Sequence, residues 1–249
     1  MTRFRKLAIL SCCAFISNVT LAAQSSWQPI QPFEAHYDAY FKGISVGSGL
    51  RILKRTAANT YQASSQAKVL GGAGMSYDET SQFRYDGEHI ISEGFKRTKK
   101  VLLGSQKIVG HPDRNGGLFV SGDDKRQHVE SGAWGNTLDS SAFMVQFQTD
   151  VKNGKTTFHY HYVEGDEIKD YQFKIDGQET ITVPAGTYQT IRLKRINKGS
   201  RETFMWLAPK LDYQLVKMQV LRDGKRWSSM ALTQLKLDQP STATSSTNE

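Results

Sequence analysis

The sequence predicts a mostly all-β protein, a strongly curved antiparallel sheet or incomplete β-barrel of ten or so strands with one covering α-helix. Three observations carry that expectation. Runs rich in β-branched and aromatic residues alternate with a period of two. Glycine-containing turn pairs such as Lys42-Gly43, Asp86-Gly87 and Asp223-Gly224 separate those runs. Only one stretch, Asp139 to Lys152, repeats its apolar residues at helical spacing.

The chain begins with Arg3, Arg5 and Lys6, an apolar run from Leu7 to Ile16, and small residues at Thr20-Leu21-Ala22-Ala23. This is the layout of a secretory signal peptide spanning 1–22, with cleavage after Ala22 and Ala23 as the near alternative. A spanning anchor would need roughly 20 apolar residues, and this run is shorter and interrupted by serines. Cys12 and Cys13 both lie inside the leader, so the exported chain is free of cysteine, which removes disulfides, thiolate nucleophiles and cysteine metal sites. Lipidation at Cys12 would leave too short a leader core ahead of it. The leader carries three basic residues and no acid, so part of the +8 formal charge leaves with it. The expected location is the periplasm, where anionic lipid or glycan, and not nucleic acid, is the natural partner of the remaining positive excess. One β-rich domain is expected over 23–238. The Ser/Thr-rich segment 239–249 offers nothing to pack and reads as a disordered tail.

Phe33, Ala35, Tyr37, Ala39 and Phe41 share one face of a first strand, with polar residues between most of them. Ile44 to Lys54 returns with Gly47 and Gly49 interspersed, the mark of a bent strand. Tyr61 to Leu70 repeats the alternation. Gly71 to Ser76 is glycine-dense but lacks the lysine and hydroxyl of a phosphate loop, so it reads as a loop or rim. Gln82 to Tyr85 and His89 to Phe95 form a hairpin across Asp86-Gly87. Lys96-Arg97-Thr98-Lys99-Lys100 places positive charge on both strand faces, which predicts an exposed edge or turn, or a strip that meets anionic headgroups. Val101 to Val109 and Leu118 to Val129 continue the strand pattern.

The helix is capped by Asp139 or Ser140. Leu138, Ala142 and Val145 mark one apolar line, Phe143, Phe147 and Val151 another, and Asn153-Gly154 ends it. In a β protein such a helix plugs an open end, covers a sheet face or serves as a lid. Thr156 to Val163 follows. Tyr171 to Pro209 then reads as a meander with reversals at Asp176-Gly177, Pro184-Ala185-Gly186 and Asn197 to Ser200, and Tyr213 to Leu237 closes the fold with a hairpin.

Leu138-Asp139-Ser140-Ser141, the Gly165 to Phe173 approach, the segment E-T-I-T-V-P-A-G-T-Y-Q-T-I-R and the run Thr203 to Pro209 together resemble the family known as domain of unknown function 3108. The resemblance extends from about Phe33 to Leu237. It implies an exported envelope protein of mostly antiparallel β structure, and brings no activity or catalytic residues. A weaker likeness of layout is to periplasmic lipoprotein carriers, whose half-open barrel takes acyl chains under a helical lid.

Chemistry-bearing patterns are few. There is no G-x-S-x-G elbow and no H-E-x-x-H helix. Asp38, Glu79 and Glu130 are the acids that could pair across a cleft. His159 and His161 share one strand face at ligand spacing, but Phe158, Tyr160 and Tyr162 occupy the other, which makes the histidine face the wet one; no metal and no cofactor is expected. The expected function is non-enzymatic binding of a lipid-like or amphipathic ligand, with Phe143 and Phe147 as lid contacts and Trp206 and Tyr37 on the cavity wall. The alternatives are an interaction module for an envelope protein partner, acting through a sheet edge or Lys96, Arg97, Lys99 and Lys100, and a glycan or lipid hydrolase.

Overall fold

The computed structural model describes residues 29–69, 75–112, 118–121, 126–129, 137–164, 167–196 and 200–238. The expectations for residues 1–22, 71–74, Glu130, 197–199 and 239–249 fall outside the described residues. The strands are β1 (Phe33–Phe41), β2 (Ile44–Arg55), β3 (Thr60–Val69), β4 (Ser76–Tyr85), β5 (Ile90–Val101), β6 (Gly104–Pro112), β7 (Leu118–Ser121), β8 (Arg126–Val129) and β9 (Thr137–Leu138). After helix α1 (Ser140–Lys152) come β10 (Thr157–Glu164), β11 (Glu167–Val183), β12 (Gly186–Ile196), β13 (Arg201–Ala208), a short 3-10 turn (Pro209–Leu211), β14 (Gln214–Arg222) and β15 (Lys225–Leu237).

Among the described residues these strands form one sheet of 15, in the order β8-β7-β6-β5-β4-β3-β2-β1-β15-β14-β13-β12-β11-β10-β9. Each arm is a meander of sequence neighbours, as the turn spacing predicts. The first and last strands zip the arms together at the centre, where Ala35 faces Leu235 and Tyr37 faces Leu232. The two ends of the sheet do not pair with each other. Side chains close the seam instead: Phe95 and Ile108 pack on Val163 and Ile168, and Arg97 Nη1 donates to the Val163 carbonyl at 3.2 Å.

Two local expectations are corrected. Asp176-Gly177 does not reverse the chain. β11 runs unbroken through it, with a bulge between Ile175 and Gly177. The type I′ turn that Asp-Gly favours needs positive φ at both residues, and here Gly177 alone is positive, at +130°. The basic run Lys96 to Lys100 is not at an edge either, since β5 lies between β4 and β6. Its charge is accommodated because Arg97 turns inward to a buried partner while Lys96, Lys99 and Lys100 stay exposed.

The helix is more deeply placed than a cover. All of Ser141 to Val151 is buried except Met144, and α1 touches β3, β4 and β5 on one side and β9 and β10 on the other. A helix inside a curled sheet needs polar partners on its non-apolar positions. Gln146 Oε1 accepts from the Ile90 amide at 2.5 Å, while Gln146 Nε2 donates to Asp150 at 2.9 Å. The other Asp150 oxygen accepts from the Tyr160 hydroxyl at 2.6 Å. Phe143 and Phe147 enter an aromatic cluster with Phe158, Tyr160, Tyr162, Tyr171 and Phe173, with ring centroids 4.8–6.1 Å apart.

Candidate functional site

Between the arms, beside the helix, lies a cavity of about 560 Å³. Small inward residues make the room, with Ala39, Gly49 and Ala67 standing where larger side chains would fill it. Met144 from the helix and Met205, Met218 and Met230 from β13 to β15 line it, together with Tyr37, Phe143 and Tyr171. Unbranched thioether side chains suit an adaptable apolar wall. The cavity opens where exposed Ala67 and Arg201 line it. Arg195 lies flat near this rim, its guanidinium 3.5 Å from the centre of the Tyr171 ring.

Of the three arginines that line this space, Arg51, Arg195 and Arg201, only Arg51 is buried. Arg51, on β2, is 8% exposed, and among the described residues no carboxylate pairs with it. Its Nη1 is fully buried and has no hydrogen-bond partner. Its Nη2 lies 3.5 Å from the side-chain amide of Gln148. The orientation that satisfies Gln148 places that amide nitrogen 3.2 Å from the Met144 carbonyl and turns its oxygen to the Leu215 N–H, leaving Nη2 without an acceptor there. The guanidinium also lies over the Phe33 ring at 5.3 Å and beside the Tyr37 hydroxyl, whose proton burial holds above the usual phenol range. A buried cation without a carboxylate partner is costly to keep.

The densest polar cluster lies at the helix N-terminus. Asp139 Oδ1 accepts from the backbone N–H groups of Ser141 and Ala142 at 3.0 Å, and Oδ2 from Ser81 at 2.7 Å. Glu79 Oε1 accepts from Ser141 N at 2.7 Å and Ser140 Oγ at 2.6 Å, and Oε2 pairs with Arg97 at 2.6 Å. Burial, and then the Glu79 charge, push the Asp139 carboxyl up to about 7. The two acids do converge, but their oxygens are committed to capping and anchoring the helix. The arrangement holds α1 inside the sheet and leaves neither acid aimed at a substrate.

The sequence-predicted residues separate into groups. Tyr37 and Phe143 line the cavity, while Phe147 is fully buried behind them in the aromatic cluster. Trp206 is on the opposite face of β13 from Met205. Its Nε1 donates to Glu179 at 2.8 Å and Lys217 lies over its ring at 4.7 Å, so it seals the outside of the sheet. The alternation of β13 places Arg201, Thr203 and Met205 inward instead. Of the basic strip, Arg97 is internal, and Lys96, Lys99 and Lys100 are on the surface. His159 and His161 both reach Asp170 across the strand pair, at 3.5 and 3.2 Å. Among the described residues no three His, Cys, Asp or Glu side chains form a metal-binding group. Sequence reasoning missed Arg51, although its parity with Leu53 on the same strand places it on the inner face.

A second recess of about 740 Å³ opens at the other end of the molecule, between the segment Asp86 to His89 and the helix C-terminus. Lys152 and Asp212 pair across it at 2.6 Å.

These features define a class: a barrel-like antiparallel shell, unclosed along one seam, that contains a buried helix and a lined cavity. The chain belongs to the family described as protein of unknown function (DUF3108), which matches residues 36–225. The fold is similar to that of a β-barrel-like protein of domain of unknown function DUF1849 from Brucella abortus, with a TM-score of 0.55 at 10% identity, covering 86% of this chain and 100% of that one. A Bacteroides fragilis protein with a YmcC-like fold aligns over 84% of this chain and 98% of its own, at 11% identity and a TM-score of 0.41. No curated protein sequence matches the chain. No helix among the described residues is long and apolar enough to cross a membrane.

Proposed function

We propose that this is a non-enzymatic periplasmic protein that holds a lipid-like amphiphile in its cavity, the acidic end of the ligand reaching Arg51. The observation that carries the reading is the pairing of an apolar, methionine-lined cavity with the guanidinium of Arg51, which is buried on its wall and has no carboxylate partner among the described residues. The cavity volume falls within the roughly 300–1,000 Å³ range of ligand pockets. A carboxylate suits Arg51 because a guanidinium binds it through two parallel charge-assisted hydrogen bonds. The signal-peptide layout supports the location. Catalysis has no place in this reading, because Glu79 and Asp139 are committed to the helix.

Titration calorimetry with dodecanoate and dodecanol tests it. A charged hydrogen bond in a buried site is worth about 1.5–3 kcal/mol, so the acid should bind roughly ten- to a hundred-fold tighter than the alcohol. Arg51→Met should erase that preference, while the unliganded variant unfolds in urea at or above the wild-type midpoint because an unpaired cation has been removed. If neither compound binds, the cavity reading fails. Equal binding of both would retain the cavity and remove Arg51 as its acid receptor.

A further inference from the structure

The large apolar side chains that the described residues leave exposed are gathered at one end. Phe41 (40% exposed) and Ile44 (71%) flank the β1–β2 turn, and Val69 (37%) ends β3. The β5–β6 turn is apolar throughout: Val101 leads into it at 45% exposure, followed by Leu102 at 71% and Leu103 at 100%. Ile196 (50%) ends β12 on the other arm. The register puts them together. Phe41 faces both Ile44 and Ser228, Gly47 faces Val69, Ser76 faces Lys100, and Val101 faces Gly104. This is also the end at which the cavity opens, since Ala67, Arg201 and Trp227 line it.

The same rim is basic. Lys42, Lys68, Lys99, Lys100, Arg201 and Lys225 are all exposed there. Of the nearby acids, Glu202 is engaged by Lys194 at 2.6 Å and Glu167 by Lys169 at 3.1 Å, and exposed Asp223 lies 4.0 Å from Arg222. Phe41 and Trp227 meet edge to face at 5.0 Å, with Lys42 and Arg222 lying over the indole. Aromatic bodies with cationic tips and bare leucines beside them have the chemistry of a lipid–water boundary, and a soluble surface gains nothing from a fully exposed leucine. The positive charge complements anionic headgroups.

We propose that this rim docks on an anionic lipid bilayer, with Leu102 and Leu103 entering the apolar layer and Lys42, Lys99 and Lys100 meeting the phosphates. The surface itself is argued from the rim alone; its use, turning the cavity mouth toward a source of amphiphile, rests on the proposed ligand reading.

Flotation of the purified protein with vesicles of phosphatidylglycerol and phosphatidylcholine, against phosphatidylcholine alone, tests the docking. The protein should float with the anionic vesicles, and added salt should weaken the association. The double variants Leu102→Asp with Leu103→Asp, and Lys99→Glu with Lys100→Glu, should each lower the vesicle partition coefficient at least about ten-fold, with unchanged urea midpoints and unchanged dodecanoate binding. Wild type that stays off anionic vesicles, or a leucine variant that floats as wild type does, overturns the proposal. So does a concentration-dependent dimer in sedimentation that the leucine variant abolishes, because the rim would then face a second copy. Flotation by a wild type that binds no dodecanoate would sink the cavity reading and leave the docking surface standing.

Discussion

Replacing Asp139 by Asn should change how stability depends on pH more than how stable the protein is. Asp139 is fully buried, and its carboxyl holds its proton up to about 7 in the folded state against an ordinary value of 3.8. Between those two values the folded chain binds more protons at this site than the unfolded chain does. The site's contribution is therefore fully present below about pH 4 and is lost as pH rises through about 7. At about 1.4 kcal/mol per pH unit the whole span amounts to at most about 4 kcal/mol. Asparagine keeps the two cap bonds from Ser141 and Ala142, and its amide nitrogen can donate to Ser81, so the cap survives while the titration goes. Urea unfolding from about pH 4 to pH 8 should show the wild type losing stability relative to the variant by about 2–4 kcal/mol, with the variant equal or better at the alkaline end. Parallel curves for the two proteins across that range would refute the reasoning, since Asp139 would then be ionised throughout.

The network beside it gives a second test. Arg97→Met strands the Glu79 carboxylate inside the sheet and should cost about 3–5 kcal/mol in urea unfolding, part of which Glu79→Gln in the same chain should restore; a loss below about 1 kcal/mol would mean that solvent reaches the pair. Gly47→Ala would set a methyl group 2.0 Å from the Lys68 carbonyl oxygen, forcing β2 and β3 apart, and should cost about 1–3 kcal/mol by the same measurement. At Gly104 nothing lies within 4 Å of the added methyl, so Gly104→Ala should be near neutral, and equal costs at the two positions would contradict the packing argument.

Much of this fold is written in the chain order. The alternation of Phe33 to Phe41, the turns at Lys42-Gly43 and Asp223-Gly224, and the capped helix opening at Asp139 are local properties, set by side-chain period, backbone dihedral preference and hydrogen bonds within a few residues. They are legible because each is decided by neighbours in sequence. The curved antiparallel sheet with a single helix follows from them, and the resemblance to the matched family rests on contiguous runs such as Leu138 to Ser141 and Thr203 to Pro209.

What the tertiary structure decided is which way each charged or aromatic group faces once the sheet curls. Arg97 reads as surface charge in the run Lys96 to Lys100, yet the β4–β5 register sets Glu79 directly opposite it and closure of the seam brings Val163 from the far arm. Trp206 reads as an inward ring, but Glu179 and Lys217 offer it a partner on the outside. Arg51 reads as one more basic residue on a bent strand. Its burial depends on Phe33, Tyr37 and Gln148, which converge only when the first and last strands pair and the helix enters the curl. Such facing is a long-range property, because partners far apart in sequence set the balance of desolvation and pairing for each group, and period alone cannot supply them.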